Sequence, residues 1–550
     1  MKERPLGISL PHLTNEITRN ARKTRLDAFA VALEGWRRGL KLKWYTKDSE
    51  HFQDMIIFGV NPPGRLFSLS SEEQTHYFFR TRGDLVSNEA VDIGSEKDDT
   101  KIYMEKAGVP IPLGKGFEPE STNEEIIEYS KTLGFPLVLK PTNASLGNGV
   151  VTNIKNEEQL IKALHYVRTE LDYKEVVVEQ YVSGKEYRVY VVGDEVVAAY
   201  NRVPANIIGD GEHTIEELIS MKNNVRKQNA RLNSCLIHMD VEILEFIEEA
   251  GYSLQSVPDK GKVIYLREKT NVSSGGDPVD VTDSLPEEYK KIAIDALKAV
   301  PDFPHGGVDI IVNDRGDLKG AAVVIELNPT AQIGGALYPI EGKARDIPKA
   351  IVDYYFPETK GQVDTRKSKV YFDLITLLEP LENRAALEVE VAPAPIGELY
   401  AKQYIVKGNV QRYNFHKWLK QQAIQHNLHG YVKSIVFDEI EIVVASTDKK
   451  TVEGFKDIIQ GYPQGSSISK IKEEVYEDPI TVGFEISEQY NTNNVRSVQH
   501  ALRKMDRDLQ RMRKLKNRAD KDLKHILRSS SWKYTEPVRK LGGLIKTKNK

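Results

Sequence analysis

Cysteine is almost missing from this chain of 550 residues. A single Cys235 excludes an internal disulfide, a cysteine-based zinc site and a dithiol redox pair. A lone cysteine reads as a small buried hydrophobe. Long apolar runs are missing too. No stretch approaches the ~20 residues that cross a bilayer, and the opening MKERPLGISLPHL lacks the roughly 7–15-residue apolar segment of a signal peptide. The expected location is therefore cytoplasmic, with peripheral attachment at the inner membrane face left open. A dominant charge is also lacking: 77 Lys and Arg against 80 Asp and Glu give a net −3. That balance excludes the strong basic field of a protein built around nucleic acid. What is present is ordinary globular composition, 40% hydrophobic and 29% charged. At about 150 residues per domain, the length implies three or four domains.

Residues 1–88 combine a helical stretch expected over 14–40 with apolar runs at 42–45 and 55–60, a small N-terminal α/β unit. Over 89–358, strand-like runs such as PLVLK, EVVVEQYV, YRVYVV, VVAAYNRV, GVDIIV and AVVIELN alternate with capped helices. Thr214 with Glu217 reads as a capping box, Asn156 before Glu157 and Glu158 as a helix start, and Gly134 as a C-cap. Gly193-Asp194 reads as a hairpin turn. The expected fold class is α+β with mostly antiparallel sheets. Residues 359–397, with Pro380, Pro393 and Pro395, read as a connecting segment. Residues 398–487 follow the order strand, helix, two strands, helix and a last strand at TVGFEI, a ferredoxin-like pattern. Residues 488–550 read as a polar linker and a basic helical tail. Its apolar positions, Leu502 to Ile526, keep a heptad spacing that Lys516 interrupts. Over 496–550 there are 18 Lys and Arg against 5 Asp and Glu, a local balance of +13.

Three features carry chemistry. Lys97 lies in SEKDDTK, Lys140 closes the strand FPLVLK, and the small-residue loop 143–149 offers free backbone N–H groups. Together they can close over a polyphosphate, with the lysines as point charges on its oxygens. Glu326 and Asn328 lie two apart on one strand and so leave the same face, with Asp309 on the preceding strand. Three hard oxygen donors are thus expected together, as Mg²⁺ requires. The flanking Val-Val-Ile and Leu327 imply that Glu326 is buried and therefore partnered. Finally, Glu179-Gln180 ends one strand and Glu186 opens the next, placing backbone groups and a carboxylate where a nucleoside could be read.

With these residues in order, the stretch 87–357 resembles the ATP-grasp superfamily, in particular the ATP-grasp cores of cyanophycin synthetase and the bifunctional glutathione synthetases. The matching stretches are SEKDDTKIYMEKAGVPIP, FPLVLKPTNASLGNGV, VVVEQYVSGKEYRVYVV, NRVPANIIGDGEHTIEELI, VIYLREKTNVSSGGDPVDVTD and GGVDIIV followed by VVIELNP. The resemblance implies an ATP-grasp fold and roles for particular residues. Lys97 and Lys140 would hold ATP phosphates, under a mobile lid that includes Ser145, Gly147 and Gly149. Glu179, Gln180 and Val182 would hold adenine, and Glu186 the ribose. Asp309, Glu326 and Asn328 would ligate two Mg²⁺, with Mn²⁺ as the alternative. Arg188, Arg202 and Arg267 would stabilise the reacting groups, and Asn271, Ser273, Ser274, Gly275 and Gly276 would line the acceptor site. Glu96 stands where relatives carry Asp. The run Pro-Thr-Ala-Gln-Ile-Gly-Gly after Asn328, which borders the reacting carboxylate, departs from the family.

The unit at 398–487 resembles acylphosphatase through KGNVQRYNF, with His416 where that family has its phosphate-binding Arg and Ser434 where it has its water-orienting Asn. Arg412 stands at a position normally Gly and offers an alternative anion contact, but the favoured expectation is a silent module. The tail ILRSSSWKYTEPVRKLG resembles a motif near the ends of bacterial polysaccharide glycosyltransferases. These readings imply a ligase joining a small-molecule or peptide carboxylate to an amine, with no nucleic-acid partner. A membrane or envelope-polysaccharide contact through the tail, and oligomeric assembly, are left open. The alternatives are an acyl-phosphate hydrolase through 398–487 and a non-catalytic ATP-binding scaffold at the envelope.

Overall fold

The computed structural model describes residues 7–142, 149–313, 322–408, 410, 414–436, 438–462 and 468–487, with 510, 513 and 516. The chain divides into two compact units. One comprises residues 1–400, 445–449 and 477–483, and the other 401–444, 450–476 and 484–550. The tail readings at Leu502 to Ile526 and at ILRSSSWKYTEPVRKLG lie outside the described residues.

In the first unit, the helix expected over 14–40 is confined to Thr24–Arg37, because residues 11–20 form turns and Lys23 has φ 54°. Its sequence LDAFAVALEGW is apolar apart from Asp27 and Glu34, which pair with Arg80 and Arg38, and the helix is buried throughout from Leu26 to Arg37. It packs beneath a five-stranded sheet in the order 388–390, 41–45, 66–70, 75–79, 82–83. The run 55–60 forms no strand. Residues 359–397, expected as a connector, instead supply the first of these strands and the helix Leu374–Glu382, which contains Pro380. Their apolar side chains Leu374, Leu378, Leu381 and Val391 complete the same core as Phe29, Trp36 and Trp44. Hydrophobic partners more than 300 residues away explain why short-range patterning did not join the two segments.

A second antiparallel sheet follows the order Asp277–Asp280, Glu195–Val203, Lys185–Val192, His305–Val312, Ala322–Asn328. A third follows Gly114–Phe117, Val176–Gln180, Leu137–Pro141, Val151–Ile154. The Thr214–Glu217 capping box, the Asn156 cap and the Gly193-Asp194 hairpin form as the sequence predicts.

The second sheet is two-faced. Val189, Val191, Ala199, Val308, Ile310 and Val324 point into one core. On the opposite face, Tyr190, Val192, Ala198 and Tyr200 pack onto the N-terminal layers. His305 lies on that face too, fully buried, with Nδ1 3.3 Å from the Tyr190 hydroxyl and Nε2 3.0 Å from the Tyr355 hydroxyl.

The second unit has strand order 468–475, 400–408, 439–446, 429–436, 484–487, with helices Phe415–Gln425 and Lys449–Gln460. The ferredoxin-like order is present, but its last strand is Ile468–Val475, not TVGFEI. That strand is an exposed edge, ISKIKEEV, whose charges hide the apolar alternation. Of TVGFEI, Thr481 pairs with Tyr371 in the first unit, and Phe484–Ser487 runs parallel to residues 430–433.

Burial pushes the His305 imidazole from 6.5 down to about 3, so the folded protein keeps it neutral. The unfolded chain takes up a proton near pH 6.5 and the folded chain only near pH 3, so stability falls as pH drops through that window. One proton corresponds to about 1.4 kcal/mol per pH unit. Denaturant titrations of wild type and His305→Gln between pH 7 and 5 should show the shallower slope in the variant. Identical slopes would rule His305 out as the source.

Candidate active site

The second sheet brings the charged candidates together on the face that carries His305. Register pairs Arg188 with Asp309, Asp309 with Glu326, and Gly307 with Asn328. Ile325 is the extra residue of a bulge, since Asp309 pairs with Glu326 but Ile310 with Val324. The offset keeps Val324 and Leu327 in the core and turns Glu326 and Asn328 to the charged face. Glu326 is exposed there. The expectation of a buried Glu326 is therefore corrected: its apolar sequence neighbours occupy the other face of the strand.

Asp309 is 3% exposed and shared by two guanidiniums. Arg188 donates to both of its oxygens, at 2.7 Å from Nη2 to Oδ2, and Arg202 donates to Oδ2 at 3.0 Å. Burial works against the carboxylate charge, but Arg188 and Arg202 hold Asp309 below the usual range. Arg202 also pairs with Glu186 at 2.6 Å, and Thr270 donates to the other oxygen of Glu186. The structure thus links Arg188, Asp309, Arg202, Glu186 and Thr270 in one network. Thr270 was not anticipated.

The donor set expected for a divalent cation is Asp309, Glu326 and Asn328. Among the described residues no group of three or more His, Cys, Asp or Glu is placed to hold a metal, and the expected set relies on a carboxamide as its third donor. Asn328 fits that demand, because its Nδ2 is buried without a hydrogen-bond partner. A half-turn of the near-isosteric amide puts an oxygen in that unpaired place. Hard oxygen donors of this kind suit Mg²⁺.

The third sheet supplies a second cluster. Glu179 is 3% exposed, with Lys140 at 2.5 Å from one oxygen and Lys101 at 2.6 Å from the other. Lys101 was missed, although it stands one helical turn after Lys97 and on the same side of the helix. The Lys97 backbone opens that helix, while its side chain lies outside the described atoms. Ser145 and Gly147 also lie outside the described residues. Gly149 has φ +71°. Gln180 donates its side chain to Leu133 O at 3.3 Å, and Val182 is 9% exposed beside it in sequence.

Arg267 stands apart from the Asp309 network. It pairs with Asp240 at 2.5 Å and with Glu242, at the start of the helix Val241–Glu249. Residues 271–276 form a tight turn: Asn271 precedes a 3₁₀ turn over Val272–Ser274, with Ser273 and Ser274 in it, and Gly275 has φ +99°. At Gly276 a Cβ would lie 2.6 Å from Thr270 O. Arg226 anchors the turn by donating to Gly276 O at 3.1 Å and to Asp277 at 2.6 Å, and Lys222 reaches the other Asp277 oxygen at 2.5 Å.

The departing run after Asn328 is clamped from outside the sheet. Thr81 donates to Ala331 O at 3.2 Å, Ile333 N–H donates to Asp27 at 3.1 Å, and Arg231 donates to Gln332 at 2.6 Å. The N-terminal layers therefore hold the segment expected beside the reacting carboxylate.

The described surface has a larger groove of about 470 Å³, along Val151–Ile154 and Glu268. It touches none of the expected site residues, so size does not select the site. In the second unit, His416 and Ser434 do meet, with Nε2 3.4 Å from Oγ. Burial lowers the His416 pKa, which keeps the ring neutral near pH 7. Arg412 lies outside the described residues.

Comparisons with known proteins give two domain matches and two groups of relatives. A RimK-like ATP-grasp domain model matches residues 97–211, and an acylphosphatase model matches residues 402–486. The glutathione biosynthesis bifunctional protein GshAB of Pasteurella multocida is 34% identical over 272 residues, 47% of this chain and 35% of that protein. The cyanophycin synthetase of Trichormus variabilis is 34% identical over 280 residues, 50% of this chain and 30% of that protein. The chain thus spans about a third of the length of these relatives. The crystal structure of a bifunctional glutathione synthetase from Pasteurella multocida shares 30% identity, covers 54% of this chain and 41% of its own, and has a TM-score of 0.43. Neither family match extends past residue 486 into the basic tail. The chain combines a RimK-like ATP-grasp domain with an acylphosphatase domain, and over about half its length it is homologous to cyanophycin synthetases and bifunctional glutathione synthetases.

Proposed function

We propose that this chain is a Mg-ATP-dependent carboxylate–amine ligase that activates a carboxylate as an acyl phosphate and captures it with an amine. The observation that carries the reading is the charged face of the second sheet, where Asp309, Glu326 and Asn328 stand beside Arg188 and Arg202. The ATP-grasp match and the relatives named glutathione biosynthesis bifunctional protein and cyanophycin synthetase support it. Those relatives are named for glutathione and cyanophycin; for this chain the substrates are proposed as a small-molecule or peptide carboxylate and an amine. An oligomeric assembly is compatible with this reading.

A carboxylate and an amine do not condense in water because the carboxylate oxygen leaves poorly. Transfer of the terminal phosphoryl group of ATP to that oxygen releases ADP and makes phosphate the leaving group. The amine nitrogen then attacks the acyl carbon, phosphate departs, and the nitrogen loses a proton. The protein's share is positioning and charge neutralisation in a site poor in water. Lys97 and Lys140 would take the nucleotide phosphates. Arg188 and Arg202 would stabilise charge on the acyl phosphate and on the tetrahedral centre. Asp309, Glu326 and Asn328 would hold two Mg²⁺, or Mn²⁺ in their place, which neutralise phosphate oxygens. The +13 tail is proposed to hold the enzyme against an anionic lipid surface or envelope-polysaccharide machinery.

A screen of carboxylate and amine pairs for ADP release identifies substrates. With an ¹⁸O-labelled carboxylate, one label per turnover should appear in phosphate, and label retained wholly in the amide product would exclude the acyl phosphate. Asp309→Asn and Glu326→Gln should keep the fold and lower ADP release by ~10²-fold. Wild-type turnover in both variants would move the metal site elsewhere.

The acylphosphatase domain is proposed to be catalytically silent. A half-buried neutral His416 lacks the bidentate guanidinium grip on a phosphoryl group, and Ser434 is engaged with it. The full chain should therefore not hydrolyse benzoyl phosphate, and His416→Arg with Ser434→Asn should raise hydrolysis. Hydrolysis by the unmodified chain that Arg412→Ala abolishes would overturn the silent reading.

A further inference from the structure

Glu179 lies in the strand Val176–Gln180, flanked by the strands Gly114–Phe117 and Leu137–Pro141. Gly114 is its direct neighbour, and a Cβ there would come within 2.7 Å of Glu179 Cγ, so glycine makes room for the carboxylate. Lys140 reaches it from the adjacent strand of the same sheet. Lys101 reaches it from the helix Lys97–Lys106, which packs against the strand Ala322–Asn328 of the other sheet. Lys101 Nζ and Glu179 Oε1 have no hydrogen-bond partner beyond their ion pair. The gap these groups share with Glu326 measures about 10 Å³, room for no more than about one water.

Two ammonium groups on one buried carboxylate are more than its neutralisation needs. A lysine that grips phosphate must leave its own carboxylate to do so, and a lone buried anion left behind is strongly unfavourable. A gap of that size offers the stranded carboxylate at most about one water in place of the lysine. We propose that Lys101 is a positioning residue of the nucleotide site: it keeps Glu179 paired so that Lys140 can transfer from that carboxylate to the nucleotide phosphates. The division of labour follows from the two attachments. Lys140 lies on the strand Leu137–Pro141, close in sequence to the residues at which the phosphates are expected, whereas Lys101 is held on the helix of the opposing layer. Burial pushes the Glu179 carboxyl upward, but Lys140 and Lys101 hold it below the usual range, consistent with an anion that stays ionised. The inference rests on the nucleotide-site reading above.

The test measures binding of ADP and of a non-hydrolysable ATP analogue to the full chain with Mg²⁺, by calorimetry. Lys140→Ala and Lys101→Met should each weaken binding by about 10–100-fold, a part of the full loss seen when a buried pair is broken outright. Lys101→Arg should stay within about threefold of wild type, because it keeps the charge. The deciding comparison is made in the Glu179→Gln background, where no anion can be stranded: adding Lys101→Met there should cost less than about threefold. A loss from Lys101→Met that is equally large with Glu179→Gln would assign Lys101 a merely structural role and overturn the inference. Unchanged binding in Lys101→Met alongside weakened binding in Lys140→Ala would also overturn it, and would leave the nucleotide reading standing. No nucleotide binding by the wild-type chain would remove both. Should Lys101→Met not fold, Lys101→Arg and the double variant still decide, since the inference requires the first to bind like wild type and the second to bind like Glu179→Gln.

Discussion

The antiparallel pairing of His305–Val312 with Ala322–Asn328, offset by one residue at Ile325, sets the geometry on which the candidate site depends. A strand shows alternate residues to opposite faces, so an unbroken register would put Val324 and Glu326 on the same side. The bulge separates them. Val324 stays in the core with Val308 and Ile310, and Glu326 and Asn328 emerge beside Asp309. The adjacent strand Lys185–Val192 then aligns Arg188 with Asp309. Without this offset, Glu326 and Asn328 could not join Asp309 on the charged face while Val324 stays in the core.

The same face changes character along its length. At one end, Tyr190, Tyr200 and His305 are packed under the N-terminal layers, and at the other Arg188, Arg202 and Asp309 form a charged network. Burying the apolar end fixes the backbone on which the charged end is displayed. The N-terminal layers also grip residues 331–333 through Asp27 and Thr81. The segment expected beside the reacting carboxylate is thereby tied to a part of the chain with no motif of its own.

A recurring device is the buried carboxylate shared by two cations. Glu179 takes Lys101 and Lys140, Asp309 takes Arg188 and Arg202, and Asp277 takes Lys222 and Arg226. Buried charge is tolerated only when compensated, and a second cation keeps the compensation if the first moves. At Asp277 the pairs fix a turn. At Glu179 and Asp309 they lie where a polyanion and a divalent cation are proposed to compete for the same groups.

The sequence by itself determined the local elements and the residue types of the site. Helix starts at Asn156 and Thr214, the Gly193-Asp194 hairpin, and the shared face of Glu326 and Asn328 all follow from near neighbours in the chain, where side-chain spacing and capping act directly. Only the tertiary structure decided that residues 359–397 complete the N-terminal sheet, that Ile468–Val475 closes the ferredoxin-like sheet, and that Glu326 is exposed. It also decided that Lys101 meets Glu179 across two layers. In each case the partners are distant in sequence or the pattern is masked, by a bulge at Ile325 or by charges on an edge strand. Periodicity reports which face a residue takes within its own element, but only packing between elements determines what that face meets.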